Sequence, residues 1–303
     1  MSLFQSLKNV WRKNVPELAG LFNGSLPDFV VALRPREPLG GVPIFSFHVV
    51  DAGLFEADLR FLSENGYYTV TCSELIAFMA GEHELPPRSV MLTFDDGPSN
   101  LFRVAFPLLV RYKLRATAFV APGLHADAQP ADPSVDRPLT WQEIETMHAS
   151  GLIDFQSHTF ESRYVPRWPL PAALSGVDPA IENARRGDPL PFGADLAKSR
   201  EVLESRIPAL KIDQLAFPMY LGTPEAVQAA RELEFRACFW GLTPGQPINR
   251  RGDSPFHISR LSDEFVRRLP GKGRATYAQM LRERIRRIRE GREWRRRFPE
   301  PLV

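Results

Sequence analysis

From residue 41 onward the chain predicts an α/β fold built on a parallel sheet, and three observations carry that prediction. Its strand segments are short and apolar, as interior parallel strands are. Helical segments with apolar residues three and four positions apart separate them. The units number about seven or eight, which favours a closed or partly closed barrel over an open sheet. A distorted (β/α) barrel of about seven strands is the expected architecture.

In chain order, "VPIFSFHVV" (42–50) is the first strand, and "LFEADLRFLSENG" (54–66) is a helix with Gly66 just past its end. "YYTV" is a second strand, and "SELIAFMAG" is a helix read as capped by Ser73. "SVMLTF" is the third strand. "NLFRVAFPLLVRYKL" follows as a helix in spite of Pro107, and "ATAFVA" is the fourth strand. "TWQEIETMHASG" starts at a Thr140 cap and runs into the strand "LIDFQSH". Residues 166–191, rich in Pro, Gly and Ala, are expected to form a long loop or lid. A helix over about 193–207, the strand "QLAFPM", the helix "PEAVQAARELE" and the strands "FRACFWG" and "HISRL" complete the pattern. No repeat of fixed length is visible.

The 303 residues suffice for one large core, with 44% hydrophobic and 24% charged residues. A net charge of +2 argues against a nucleic-acid partner. The two cysteines, Cys72 and Cys238, fit neither a disulfide framework nor a zinc knuckle and read as buried small hydrophobes. Neither a secretory leader pattern nor a membrane-length apolar run is present, so a cytoplasmic protein, peripheral to the inner membrane at most, is expected. Residues 1–40 read as a helical appendage (Leu3, Leu7, Val10, Trp11) and linker, 41–270 as the barrel, and 271–303 as an Arg-rich C-terminal helix.

Chemistry collects at the strand ends, where a parallel barrel places its reaction face. His48 ends the first strand, Asp95 and Asp96 the third, His158 the fifth, and "FPMY" runs to Tyr220. Two adjacent carboxylates repel if both ionise in a cleft. One arrangement that holds them gives a cation to one and leaves the other as a base. Carboxylate and imidazole from separate strand ends suit a divalent metal. Taken singly, each histidine reads as an ordinary hydrogen-bonded residue and Asp-Asp-Gly as an acidic turn; taken together they read as a site.

"LTFDDGP" (92–98), with "FQSHT" (155–159) after "WQEIETMHASGLI", resembles the polysaccharide deacetylase family, carbohydrate esterase family 4, over about residues 42–262. The resemblance implies a distorted (β/α) barrel of that family's type and one divalent metal, usually zinc, with cobalt, nickel or manganese also accommodated. It makes Asp95 the catalytic base and Asp96 and His158 metal ligands. The stretch 42–70 resembles the branch that deacetylates poly-N-acetylglucosamine, whose general-acid histidine sits on the N-terminal strand. His48 inherits that role, and His257 in "FHISRL" falls where the branch has no catalytic residue. "AFPMYLG" is similar to the family's third motif, with Phe217 in place of an Arg found in many members. Its backbone at Pro218 and Tyr220 is the expected substrate and oxyanion contact.

One departure stands out. The family's second motif carries two histidines three or four residues apart, whereas here "HTFESRYV" has Ser162 at the usual second position. Glu161 beside it is then the expected supplementary oxygen ligand. The reading is a metal-dependent hydrolase that removes an N-acetyl group from an amino sugar or sugar conjugate. A catalytically impaired relative that binds glycan or a partner, and a hydrolase of another small amide, are its alternatives. In the tail, Tyr277, Leu281, Ile285 and Ile288 recur at helical spacing, and Gly291 weakens the helix before Trp294. The stripe is expected to pack on the barrel with its arginines solvated, or, with Trp294, to rest on an anionic membrane.

Overall fold

Strand β3 (Ser89–Asp95), wholly buried, is the spine of the sheet. It pairs with β1 (Ile44–Phe47) on one side and with β2 (Tyr68–Thr69) and β4 (Ala116–Val120) on the other, always parallel. Beyond β4 come β5 (Ile153–Ser157), β6 (Gln214–Ala216) and β7 (Ala237–Phe239); beyond β1 comes β8 (Leu261–Ser262). The resulting eight-stranded sheet runs β7-β6-β5-β4-β3-β1-β8 with β2 beside β3. Residues 258–262 reach both of its ends. Ile258 bridges Phe239, while Leu261 and Ser262 pair with Phe45 and Ser46. This is the distorted parallel barrel expected, described in a computed structural model that covers residues 26–125, 127, 137–160, 162, 191–207, 209–243 and 245–297, the side chains of 288 and 290–297 apart.

Because successive strand residues face opposite ways, each strand feeds two cores. Phe45, Phe47, Leu92, Phe94, Ala118, Phe155 and Leu215 pack outward with the helices. Ile44, Met91, Phe119, Ala216 and Phe239 fill the barrel. The same parity gives Ser46, Thr93, Asp95 and Phe119 one inward face, which is what brings the chemistry together.

The helices follow local signals. Helix α1 (Asp28–Val31) buries Phe29 and Val30, and Arg268 donates from Nε and Nη2 to the Val30 carbonyl at 3.0 and 2.9 Å. Asp51 caps α2 (Ala52–Glu64). Helix α3 (Cys72–Met79) is capped by Thr71, not Ser73. The Thr71 hydroxyl and the Glu74 carboxylate satisfy each other's backbone N–H, a reciprocal pair that Ser73 cannot form. A π turn at Leu101–Ala105 runs straight into α4 (Phe106–Tyr112), so Pro107 lies within a continuous helical run whose regular ladder the π turn has already interrupted. Thr140 caps α5 (Trp141–Ala149) as expected. Helices α6 (Phe192–Arg206) and α7 (Pro224–Glu232) complete the outer layer. Cys72 and Cys238 are free and buried, as the sequence suggested. The N-terminal helix expected around Leu3 to Trp11 lies outside the described residues, as does the expected loop or lid apart from Pro191.

The tail forms α8 (Tyr277–Arg297), uninterrupted at Gly291; Tyr277 packs against the core, but the expectation that the stripe as a whole covers the barrel while the arginines stay solvated is corrected. Leu281 and Ile285 are 52% and 56% exposed and do not pack on the barrel. The inward face instead carries Met280, Arg284 and Arg287. Arg287 pairs with Asp58 at 2.6 Å and also with Asp263, and Arg284 reaches Glu264. Buried carboxylates need cations far more than two leucine-sized side chains need cover, so they set the helix's rotation. With these arginines committed to the barrel, membrane contact through this helix gains no support. Among the described residues no helix is long and apolar enough to cross a membrane.

Candidate active site

Asp95 closes β3 on the barrel's inward face, 2% exposed, and its Oδ1 receives Nη1 of the equally buried Arg260 at 2.7 Å. Arg260 comes from the segment that closes the barrel and also donates from Nε to the Trp240 carbonyl at 3.0 Å. Burial alone would push the Asp95 carboxyl up. The Arg260 charge, followed by His158 and His48, overrides it and holds the group below the usual carboxylate range. Asp95 is therefore held as a buried carboxylate by the Arg260 cation. Arg260 is a functional residue the sequence reading missed; the Arg in "HISRL", beside the highlighted His257, was the available signal.

At Asp96 the backbone turns left-handed (φ 68), which swings its carboxylate away from Asp95 to a 41% exposed position. Gly97 (φ 66) continues the turn, and an added Cβ there would meet His125 Cε1 and Val120 Cγ1 at 2.9 Å. His125 donates from Nδ1 to the Leu139 carbonyl, and Leu139 N–H donates to the Gly97 carbonyl, both at 2.9 Å. Among the described residues its buried Nε2 has no hydrogen-bond partner, and burial lowers the imidazole to about 4, so it is a neutral clamp on the loop.

His158 follows β5, 3% exposed, and its Nδ1 lies 2.8 Å from the Ala216 carbonyl. A carbonyl only accepts, so Nδ1 carries a hydrogen, and Nε2, 3.4 Å from Asp96 Oδ1, is the nitrogen that gains or loses the ring's second proton. Burial opposes protonation of this ring, but Asp95 and Asp96 outweigh it and raise the pKa. An imidazole nitrogen and an open carboxylate oxygen converging in this way, with the ring fixed on a carbonyl, suit a divalent cation. The Ser162 hydroxyl donates to Asp96 Oδ1 at 3.4 Å, a weaker third neighbour. Glu161, the expected supplementary ligand, lies outside the described residues, among which no group of three His, Cys, Asp or Glu could hold a metal.

His48 stands one residue past β1 and Tyr220 in the turn after β6. The Tyr220 N–H, expected to face an oxyanion, donates here to the Phe217 carbonyl at 3.1 Å. Pro218 has no N–H to offer. What Tyr220 brings is its phenol, 3.5 Å from His48 Nδ1 and 3.2 Å from Ser46 Oγ. Phe217, in the place of the family's Arg, is fully buried against Trp240, with ring centroids 4.8 Å apart. Arg260 reaches Asp95 from the segment just before β8. The structure thus brings together His48, Asp95, Asp96, His158 and Tyr220, while His257 stacks on Trp240 (5.1 Å, 10°) and pairs with none of them.

A parallel barrel with a buried carboxylate base beside an Asp–His cation pair, and an imidazole across the cleft, defines the class: a hydrolase scaffold of the carbohydrate de-N-acetylase type. The model of the polysaccharide deacetylase family matches residues 82–238, and the chain belongs to that family. YxkH of Bacillus subtilis (strain 168), named for the same family, is 31% identical over 73% of this chain and 71% of its own. The poly-beta-1,6-N-acetyl-D-glucosamine N-deacetylase of Escherichia coli (strain K12) is 30% identical over 125 residues. That match takes in 39% of this chain but only 19% of the larger protein. The structure of IcaB from Ammonifex degensii superposes with a TM-score of 0.61 at 25% identity, covering 76% of this chain and 95% of that one.

Proposed function

We propose that this chain hydrolyses the N-acetyl group of an amino sugar within a glycan or glycan precursor, assisted by a divalent cation at Asp96 and His158. The observation that carries the reading is the division of labour between adjacent carboxylates: Asp95 buried and ionised against Arg260, Asp96 turned out to His158 Nε2. A binding surface has no use for that division; an amide hydrolase does. The E. coli relative, named for poly-beta-1,6-N-acetyl-D-glucosamine, bears on the substrate class, a polymer of N-acetylglucosamine.

In the proposed reaction Asp95 accepts a proton as water oxygen bonds to the acetyl carbon. His48, on the other side of the cleft, then protonates the nitrogen as the C–N bond breaks, releasing acetate and a free amine. Bound cation supplies polarisation of the acetyl carbonyl and stabilises developing negative charge. Zinc is the first candidate, with cobalt, nickel and manganese also suited to one nitrogen and one oxygen donor. With Ser162 where relatives of this type carry a second histidine, weaker and more exchangeable binding is expected than at a three-ligand site.

The test is acetate release from N-acetylglucosamine oligomers by purified protein, with chelator and with each metal added back. Metal-dependent release supports the reading. If no metal binds in titration and no acetate appears with any of them, the chain is instead a glycan- or partner-binding relative. Release from small amides but not from sugars would move the substrate class.

A further inference from the structure

Tyr220 is held by unusual means. Met219 and Tyr220 are consecutive left-handed residues (φ 57 and 64), a conformation side chains of this size rarely adopt. Gly241 leaves room for them, since a Cβ at that position would stand 2.7 Å from the Tyr220 Cβ. The Arg260 guanidinium lies over the phenol ring, 5.1 Å from its centroid. The result is a continuous hydrogen-bonded row across the barrel mouth. Asp95 Oδ2 to Ser46 Oγ is 3.5 Å, Ser46 Oγ to Tyr220 Oη 3.2 Å, and Tyr220 Oη to His48 Nδ1 3.5 Å.

The ends of the row fix its direction. Asp95 accepts the Arg260 guanidinium on Oδ1 at 2.7 Å, and its Oδ2 accepts the single Ser46 hydrogen. The Ser46 oxygen then accepts from the Tyr220 hydroxyl, and the Tyr220 oxygen accepts from His48 Nδ1–H. We infer that Ser46 and Tyr220 are positioning residues that lock His48 in its Nδ1–H tautomer, so that Nε2 is the nitrogen that carries and delivers the proton to the leaving amine. The geometry makes the base the reference for the acid: the Asp95 charge sets the tautomer of a ring two hydroxyls away. This rests on the acid role given to His48 above, although the tautomer itself does not depend on substrate.

The test reads the tautomer and turnover separately. Two-bond 1H–15N correlation spectra of neutral His48 should show Nδ1–H in the wild type. Tyr220→Phe removes the acceptor and keeps the ring, and a shift toward Nε2–H is expected. Ser46→Ala never touches His48, yet it frees the Tyr220 hydrogen to turn to Nδ1, so it should shift the tautomer the same way; Ser46→Thr, which keeps the hydroxyl, should retain Nδ1–H. In turnover, Tyr220→Phe and Ser46→Ala should each lower kcat at least about tenfold with KM held, since acid catalysis contributes about a hundredfold or more. Because both break one row, the double variant should lose little more than either alone. An unchanged tautomer in Tyr220→Phe and Ser46→Ala, or losses that multiply in the double variant, overturns the inference. If the tautomer shifts as expected but the wild type releases no acetate, the row stands and the deacetylase reading falls.

Discussion

At the scale of single residues, the proposed function gives Asp95 and Asp96 opposite work although they are neighbours. Asp95→Asn removes the proton acceptor, and turnover should fall a hundredfold or more. It also leaves the Arg260 guanidinium buried without its partner, so stability should drop by about 3–5 kcal/mol in a denaturant titration. Asp96→Asn, at an exposed carboxylate, should leave stability near that of the wild type and abolish metal uptake. Equal metal loss in both variants would refute the division. Gly97→Ala should disable the site without touching a charged group. Its positive φ disfavours a side chain, and the new methyl would press on His125 and Val120. Loss of activity with retained far-UV circular dichroism is the expected pair of results.

At the scale of an element, β5 carries a cost on its half-exposed side. Burial pushes Asp154 up to about 6, with the Gln156 amide opposing and the Asp213 carboxylate adding to the rise. A carboxyl raised above its unfolded value binds its proton more tightly when folded. Its contribution is neutral below the unfolded pKa, and stability falls as pH climbs from there through about 6. Asp154→Asn should therefore raise Tm above pH 7, with the gain shrinking toward pH 4; melting curves across that range check it. A constant gain at every pH would place the effect in packing rather than in charge.

Across the whole molecule, α8 acts as a clasp made of ion pairs. Arg287 lies at 10% side-chain exposure between Asp58 of α2 and Asp263, and Arg267 supports Asp58 from the other side at 3.0 Å. Burial raises the Asp58 carboxyl in spite of these cations, a sign that the carboxylate depends on them. Arg287→Ala should cost about 3–5 kcal/mol and open the tail to protease, whereas the exposed Arg282→Ala should change stability by less than about 0.5 kcal/mol. Comparable loss in the two variants would mean that the clasp is not what holds the helix.

What the sequence determined was whatever local pattern controls. Strand and helix alternation required a parallel barrel, and "LTFDDGP" and "FQSHT" singled out Asp95, Asp96 and His158, which the fold brings together. Period-2 alternation even placed Ser46 and Asp95 on the face where they meet. Contacts between distant segments were not legible. Arg260 reaches Asp95 from 165 residues away. Tyr220 meets His48 across 172. Apolar spacing in the tail misplaced Leu281 and Ile285, because hydrophobic periodicity says nothing about which buried carboxylates a helix will find when it docks. Only the tertiary structure could decide those pairings, since a charge becomes expensive, and therefore decisive, once the fold has removed it from water.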